Sequence, residues 1–182
     1  MQVYYTGVGS RQTPQEVLLA FESIAKYLAS IGWVLRSGAA DGADRAFEKG
    51  CDAEDGKKEI YLPWKNFNNS FSDLIVKDQK AFEIAKEHHP GWDNLKFGAQ
   101  KLHARNVHQV LGKQLDNPSS LLICWTPNGS GKGGTGQAIR LANSYKVPVI
   151  DAGAYPSVKE FKQAVWSAIK TIKEKDYDEK GN

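Results

Sequence analysis

The sequence predicts an open α/β fold, in which a five-stranded and mostly parallel β-sheet carries helices on both faces. Three observations predict it. Short β-rich segments alternate with helical segments along most of the 182 residues. Residues Leu121–Trp125 are apolar without interruption, which is typical of a central parallel strand buried on both faces. Glycine-rich turns follow several of the predicted strands, as in sheets that bind ligands at their carboxyl edge.

The first predicted strand is short and leads into an amphipathic helix. Residues Gln2–Thr6 are rich in β-forming residues. Thr13 stands before a proline and three residues before Glu16, a spacing that predicts an N-terminal capping box. Apolar residues recur every three or four positions from Val17 to Ile31, which predicts one buried helix face. We expect Gly32 to end this helix.

A second and a third strand follow, with a short helix between them. Trp33–Leu35 begins the second strand, and Glu59–Leu62 forms the third before a proline stops it. Between them we expect a helix from about Ala43 to Lys49, closed by Gly50. The order strand, helix, strand, helix, strand is typical of a parallel sheet.

Residues 63–112 form a less regular insertion with some helical character. Its first part, residues 64–72, is rich in asparagine, serine and aromatic residues and predicts a loop. Residues Asp78–His88 have helical character, a Pro-Gly pair breaks that pattern, and a second helix is predicted from Phe97 to Leu111.

The last third of the chain returns to regular alternation. A glycine-rich loop follows the central strand and precedes a helix predicted from Thr135 to Tyr145. Pro148–Ile150 is the fifth predicted strand, and Ser157 caps a last amphipathic helix. We therefore interpret residues 1–172 as a single domain, and we expect the charged and polar tail 173–182 to fray.

Composition and charge disfavour several classes of protein. The chain has 24 Lys and Arg against 21 Asp and Glu, and a net charge of +3 is too small to indicate nucleic-acid binding by itself. No segment approaches the roughly 20 apolar residues that span a bilayer, and the first residues do not resemble a signal peptide. Cys51 and Cys124 stand far apart, which disfavours a disulfide framework and predicts a cytoplasmic protein. No cluster predicts a metal, and we expect no cofactor.

Three loops stand out because each follows a predicted strand and precedes a predicted helix. They are residues Gly7–Arg11, Ser37–Asp44 and Asn128–Gly136. In an open parallel sheet such loops meet at the carboxyl edge of the strands. Glycines allow close approach of the backbone, and helix N-termini supply N–H groups that suit a phosphate. The sequence therefore predicts a phosphate pocket, to which the guanidinium of Arg11 adds a bidentate hydrogen-bond donor. The alternative is that each loop is a tight turn that merely needs glycine.

The common nucleotide-binding motifs are not fulfilled. Gln12 stands where a dinucleotide fingerprint requires its third glycine. Lys132 is followed by Gly133 rather than by serine or threonine, and Thr126 stands where a P-loop has its first glycine. These departures exclude an ordinary P-loop nucleoside triphosphatase.

A family resemblance emerges from four segments taken in order. They are GVGSRQTP after the first strand, RSGAADGADRAFEKG after the second, HARNVHQVLG on a later helix, and GGTGQAIRLANSYKVPVI around the last strands. Together they resemble the Rossmann-like SLOG superfamily, which contains DNA-processing protein A (Smf) and the LOG-type nucleotide phosphoribohydrolases. The resemblance spans about Gln2 to Ile150. Short stand-alone members similar to this chain are common in bacteria and their phages.

The resemblance implies a phosphate or nucleotide pocket. The Arg-Asn pair on the later helix matches a pair of the DNA-processing members, and Asp44 matches the acidic residue of the second segment. The implied ligand-binding residues are Gly9, Ser10, Arg11, Ser37, Gly38, Ala39, Asp44, Arg105, Asn106, Gly133, Gly134, Thr135, Gly136 and Gln137.

A catalytic role stays open because one expected residue is missing. The hydrolase branch carries a catalytic glutamate shortly after its Gly-Gly-x-Gly-Thr segment. Here Thr135 is followed by Gly136, Gln137 and an alanine, and an amide cannot exchange a proton near neutral pH. Asp41, Asp44 and Arg105 are the remaining catalytic candidates.

Side chains near the predicted pocket have two interpretations each. Trp64 and Trp125 end the third and fourth predicted strands and could stack on a base, although aromatic residues in this region could equally pack against the sheet. His108 and Gln109 lie three and four positions after Arg105 and could form a polar edge toward a ligand, or a solvated helix face.

Three functions compete at this stage. The first is a binding module that holds, and could sequester, a nucleotide or a nucleotide-derived signal of phosphoribosyl or ADP-ribose type. The second is a nucleoside-monophosphate phosphoribohydrolase, which breaks an N-glycosidic bond. The third is a recombination mediator that binds single-stranded DNA, for which Lys132, Arg140 and Lys146 would form a basic rim. A homo-oligomer is expected in each case, and no membrane partner.

Overall fold

A computed structural model of the chain describes residues 2–180 and contains one six-stranded sheet in which every neighbouring pair is parallel. The strand order is β4-β3-β2-β1-β5-β6. The strands are β1 (Tyr4–Gly7), β2 (Val34–Ser37), β3 (Lys58–Leu62), β4 (Leu74–Ile75), β5 (Leu121–Cys124) and β6 (Val149–Asp151).

Six α-helices in residues 2–180 accompany the sheet. They are α1 (Gln15–Ser30), α2 (Ala43–Asp52), α3 (Gln79–Glu87), α4 (Phe97–Leu111), α5 (Gly134–Ser144) and α6 (Val158–Lys180). The last helix thus includes most of the tail that we expected to fray, and residues 181–182 lie outside the described part of the chain.

The two faces of the sheet are covered by different helices, as predicted. On one face, α1, α2 and α6 bury a core in which Phe21 stacks on Phe47 at 4.3 Å between ring centroids, with Phe161 against Phe21. On the other face, α3, α4 and α5 form a second core that includes Trp92 and Leu141. The predicted doubly wound α/β class is confirmed.

Strand number is the main correction to the predicted fold. The sheet has six strands rather than five, because Leu74 and Ile75 pair with Tyr61 and Leu62 at the edge of the sheet. A two-residue strand within a polar loop is too short to produce alternation in the sequence, so only its pairing with β3 identifies it.

The start of α1 also differs from the prediction. Its first helical residue is Gln15, and no side chain caps its N-terminus. The Thr13 hydroxyl instead donates a hydrogen bond to the carbonyl oxygen of Ser10 at 2.6 Å, so it stabilises the preceding loop. The capping box predicted for Thr13 and Glu16 is therefore wrong.

Gly50 does not close α2, which continues to Asp52. A Cβ atom at Gly50 would collide with the backbone carbonyl oxygen of Glu22 on α1. Gly50 is therefore a contact point that lets α1 and α2 approach each other closely, and the sequence prediction mistook it for a helix end.

The strand order reverses between β1 and β5. From β1 the chain extends the sheet one way through β2, β3 and β4, and then returns to place β5 and β6 on the other side of β1. In open parallel sheets, ligands bind beyond the carboxyl ends of the strands that flank such a reversal. The loops that follow β1 and β5 are therefore where a ligand is expected.

Candidate ligand-binding site

A cavity of about 520 Å³ opens at the carboxyl ends of β1 and β5. Its walls come from the loops after β1, β2 and β5, from the inner face of α4, and from Phe67 in the segment between β3 and β4. The three loops singled out from the sequence thus meet at one place. The volume is in the range of sites that bind small molecules.

The loop after β1 contributes one wall of the cavity through Gly9, Ser10, Arg11 and Gln12. The Ser10 hydroxyl accepts a hydrogen bond from the backbone N–H of Gln12 at 3.0 Å, which folds the loop into a turn. Arg11 is exposed and is free of the turn's internal hydrogen bonds. Its guanidinium can therefore meet an anion at the mouth of the cavity.

The loop after β5 brings Lys132, Gly133, Gly134 and Thr135 to the opposite wall. Gly133 has a φ of +77°, a backbone conformation that favours glycine, and it immediately precedes α5. No side chain caps the N-terminus of α5. Its first N–H groups are therefore available to an anionic ligand, with the helix dipole and Lys132 adding positive potential.

The loop after β2 reaches the cavity only through Ala40 and Asp44. The three residues before them stabilise the surrounding structure instead. The Ser37 hydroxyl donates to the carbonyl oxygen of Gly7 at 2.6 Å, the Gly38 carbonyl accepts from Arg105 at 2.5 Å, and the Ala39 carbonyl accepts from the side chain of Asn68 at 3.0 Å. Ser37, Gly38 and Ala39 therefore do not line the cavity.

Arg105 and Asn106 on α4 connect two of these loops. The Arg105 guanidinium donates to the carbonyl oxygen of Gly38, and the Asn106 amide donates to the carbonyl oxygen of Gly134 at 3.3 Å. The same amide donates to the Gln137 side-chain oxygen at 3.2 Å. Both α4 side chains line the cavity and are buried. The pair therefore holds the second and third loops against α4.

Asp44 and Arg105 create an unusual electrostatic environment in the cavity wall. Asp44 is buried, and burial raises the pKa of its carboxyl group from 3.8 to about 6, although the nearby Arg105 charge opposes this shift. Burial likewise lowers the pKa of Arg105, and Asp44 opposes that change. A carboxyl group with a pKa close to neutrality, on a cavity wall, can change its charge when a ligand binds.

Several predicted residues lie outside the cavity. Gly136 and Gln137 are buried behind its wall within α5, and the exposed Asp41 lies 4.0 Å from Arg45 on the surface. Trp64 packs edge-on against Phe67 at 5.2 Å and does not line the cavity.

Trp125 and His108 are also turned away from the cavity. Trp125 is half-buried against the core formed by α1, α2 and α6, and only its carbonyl oxygen reaches the first loop, where it accepts from the Ser10 N–H at 3.4 Å. The His108 ring stacks on Tyr61 at 5.4 Å, so it belongs to the packing of α4 on the sheet.

Gln109, for which the sequence leaves open a polar edge toward a ligand, also lines the cavity. So do Phe67 and His103, which are not among the predicted binding residues. His103, Asn106 and Gln109 are spaced three residues apart and lie along one face of α4, so helical periodicity could have grouped them. Phe67 carries no such signal, because it comes from an irregular segment.

The described residues show neither a metal-binding cluster nor a membrane-spanning helix. Across residues 2–180 there is no group of three or more His, Cys, Asp and Glu side chains placed to hold a metal ion. No helix in that range is both long and apolar enough to span a bilayer. Of the predicted basic rim, Lys132 lines the cavity, while the Arg140 side chain donates to the carbonyl oxygen of His88.

Comparison with known proteins supports the fold at the level of structure. No family model and no curated protein matches the sequence. Two solved structures of the molybdenum cofactor carrier protein from Chlamydomonas reinhardtii match with TM-scores of 0.55. One is 18% identical over 91% of this chain and 84% of that chain, and the other is 17% identical over 96% and 98%.

A third solved structure is DNA processing protein A from Helicobacter pylori, described for its single-stranded DNA binding mode. It is 20% identical, covers 82% of this chain and 64% of its own, and has a TM-score of 0.52. At these identities the comparisons establish a Rossmann-like fold. They agree with the coarse part of the sequence resemblance, since DNA processing protein A is among the structural neighbours.

Proposed function

We propose that this protein binds a nucleotide or a nucleotide-derived small molecule, of phosphoribosyl or ADP-ribose type, and that the loops after β1 and β5 hold its phosphate. Binding without chemistry would let the protein sequester such a molecule. The cavity wall formed by α4 would then contact the remainder of the ligand.

The observation that carries this proposal is the meeting of an uncapped helix N-terminus, a glycine-rich loop and two cationic side chains at one cavity. The cationic side chains are Arg11 and Lys132, from opposite walls. A phosphate suits this combination because backbone N–H groups supply directional hydrogen bonds while the two cations supply charge. The cavity volume of about 520 Å³ leaves room for more than a phosphate group alone.

The structural neighbours lend support of a general kind. The algal protein is named as a carrier of molybdenum cofactor, and the Helicobacter protein is described as binding single-stranded DNA. Both are named for binding. The structural similarity does not show that this chain binds either molybdenum cofactor or single-stranded DNA. Both are therefore included in the test.

Isothermal titration calorimetry provides the test. The panel contains AMP, ADP-ribose, cyclic ADP-ribose, molybdenum cofactor and a single-stranded DNA oligonucleotide. We expect a phosphorylated small molecule to bind with micromolar or lower Kd. No binding of any small molecule at high micromolar concentration would overturn the proposal, and DNA binding that weakens steeply with salt would favour the recombination-mediator alternative.

Arg11→Ala serves as the diagnostic variant in these titrations. Because Arg11 is exposed, we expect the fold to be unaffected and the affinity for the phosphorylated ligand to fall about tenfold or more, the loss typical of a charge-assisted hydrogen bond. Lys146→Ala, which removes an exposed cation from outside the cavity, is the matched control. Equal affinities for the wild type and Arg11→Ala would contradict a phosphate position at this loop.

A second candidate function, N-glycoside hydrolysis, is favoured by Asp44 alone. In this reaction a water oxygen forms a bond to C1′ of the ribose, the bond from C1′ to the base nitrogen breaks, and the base leaves with the electron pair. The ionised Asp44 carboxylate would accept the proton of the attacking water, and its raised pKa of about 6 suits general-base work near neutral pH. Chromatography of AMP after overnight incubation decides the matter, since intact AMP would eliminate this candidate.

A further inference from the structure

One buried side chain in the cavity wall lacks hydrogen-bond partners at both of its polar atoms. Within the described chain, the buried side-chain atoms without a partner are one atom each of Tyr5, His103 and Gln137 and both carboxamide atoms of Gln109. His103 and Gln137 interact with each other through their side chains, an interaction that opposes the lowering of the His103 pKa by burial. A buried polar group without a partner costs free energy, so the Gln109 amide calls for a physical explanation.

Gln109 is the most extreme of these residues. It is only 1% exposed, and both the nitrogen and the oxygen of its carboxamide lack partners. Its backbone carbonyl, in contrast, accepts a hydrogen bond from the Thr6 hydroxyl at 2.7 Å. The helix is therefore firmly placed at this point, and only the side-chain amide is left unsatisfied.

The position of the amide connects it with the site. Gln109 lines the cavity, and its amide nitrogen lies beside the Arg105 guanidinium above Gly38, where a Cβ atom would collide with both. Arg105, Asn106 and Val8 line the same cavity. The amide therefore belongs to the wall that a ligand in the cavity would contact.

We infer that Gln109 recognises the part of the ligand that is not phosphate, and that this part carries a hydrogen-bond donor next to an acceptor, as the edge of a nucleobase does. A primary carboxamide has one acceptor oxygen and a donor nitrogen, and it forms a two-point hydrogen bond with such an edge. This inference rests on the proposed function, since it assumes that a phosphorylated ligand occupies the cavity.

Energetics favour this assignment over a role in folding. No described protein atom satisfies either polar atom of the Gln109 amide, so a complementary group that enters the cavity can form hydrogen bonds with both. Phe67 lines the same cavity, with the Arg105 guanidinium over its ring at 5.7 Å from the centroid, and adds an apolar surface against which a ring can pack. The site therefore fits a planar heterocycle attached to a phosphate-bearing group.

The experiment compares ribose 5-phosphate with the four mononucleotides AMP, GMP, CMP and UMP, using the wild-type protein and Gln109→Met. Methionine has nearly the same shape and volume as glutamine but cannot form the paired hydrogen bonds. Gln114→Met, an exposed position just beyond α4, is the matched control. Calorimetry measures affinity, and thermal unfolding of the ligand-free proteins measures stability.

We expect the wild type to bind its best mononucleotide at least tenfold more tightly than ribose 5-phosphate. Gln109→Met should lose about tenfold in affinity for that mononucleotide and less than twofold for ribose 5-phosphate. Its Tm should be unchanged or higher, because an unsatisfied buried amide has been removed. Gln114→Met should match the wild type in all three measurements.

Other outcomes separate this inference from the proposed function. If neither ribose 5-phosphate nor any mononucleotide binds, the proposed function fails and the inference fails with it. If ribose 5-phosphate binds as tightly as every mononucleotide, the phosphate site stands and the inference is overturned. A lower Tm of Gln109→Met with equal losses for both ligand types would assign Gln109 a structural role, for example through a buried water molecule, and would also overturn it.

Discussion

Arg105 and Asn106 have two roles that the sequence alone could not separate. The family resemblance implies that they contact a ligand, and both do line the cavity. Their hydrogen bonds to Gly38 and Gly134, however, join loops that are 67 and 28 residues away in sequence. A substitution of either residue would therefore change the shape of the site as well as its contacts with a ligand. Substitutions of residues that do not hold the loops, such as Arg11, give clearer tests of ligand binding.

At the residue scale, Asp44 predicts a pH dependence of stability. Its pKa is about 6 in the folded protein against 3.8 for an ordinary aspartate, because it is buried. Between about pH 4 and pH 6, the folded state therefore retains a proton that the unfolded state has lost. Raising the pH through this window lowers the free energy of unfolding, by at most about 3 kcal/mol for the full shift.

The variant Asp44→Asn checks this sign. We expect its free energy of unfolding, measured in urea, to rise relative to the wild type as the pH increases from 4.5 to 6.5, by roughly 1–3 kcal/mol. Asp41→Asn, an exposed carboxyl group in the same loop, is the control and should show a much smaller change. A difference between wild type and Asp44→Asn that stays constant over this range would show that Asp44 does not titrate there.

At the element scale, the insertion predicted for residues 63–112 turns out to be part of the fold itself. It contains β4, α3 and α4, and these helices cover one face of the sheet together with α5. It also supplies Phe67, His103 and Gln109 to the cavity. The segment that was least regular in sequence therefore contributes an entire wall of the candidate site.

Two helical glycines with different surroundings should respond in opposite ways to substitution by alanine. Gly50 lies at the contact between α1 and α2, whereas Gly98 lies on α4 with open space around it. In Gly50→Ala the added Cβ would collide with the backbone of Glu22, so the helices must separate, and we expect a loss of about 2 kcal/mol in unfolding free energy. In Gly98→Ala, on α4, the Cβ meets nothing within 4 Å, and we expect a gain of about 0.5 kcal/mol from helix propensity.

Chemical denaturation of both variants tests this contrast. The two substitutions are chemically identical and differ only in what surrounds the new methyl group. If Gly50→Ala proved as stable as Gly98→Ala, the close approach of α1 to α2 described here would be incorrect.

At the scale of the whole molecule, the strand order brings the three loops together. The reversal between β1 and β5 leaves their carboxyl ends side by side, and α4, which packs on β1, β2 and β3, lines the same cavity. Because both walls of the cavity belong to the one sheet-and-helix framework, a ligand that bridges them should stabilise the entire domain.

This linkage predicts a thermal shift. A ligand present at about 100 times its Kd adds roughly 2.7 kcal/mol to the unfolding free energy, which for a domain of this size raises Tm by about 5–10 °C. We expect such a shift with the best-binding mononucleotide and a much smaller one with its nucleoside, which lacks the phosphate. Equal shifts for the nucleotide and the nucleoside would contradict phosphate recognition by the loops.

The sequence by itself determined the fold class, most of the elements and the three loops that meet at the cavity. The helix predicted after the Pro-Gly break, from Phe97 to Leu111, has both ends correct, and the uninterrupted apolar run predicted β5 within one residue. Such features follow from contacts within one segment, since side-chain direction in helices and strands depends on local backbone geometry.

Only the tertiary structure decided which residues of those loops face the cavity. Ser37 ends β2 and Trp125 directly follows β5, and yet both side chains point elsewhere, while Gln109 reaches the cavity from α4. The edge strand β4 likewise exists only through its pairing with β3. The physical reason is that these outcomes depend on hydrogen bonds and packing between residues far apart in sequence, and no local pattern encodes them.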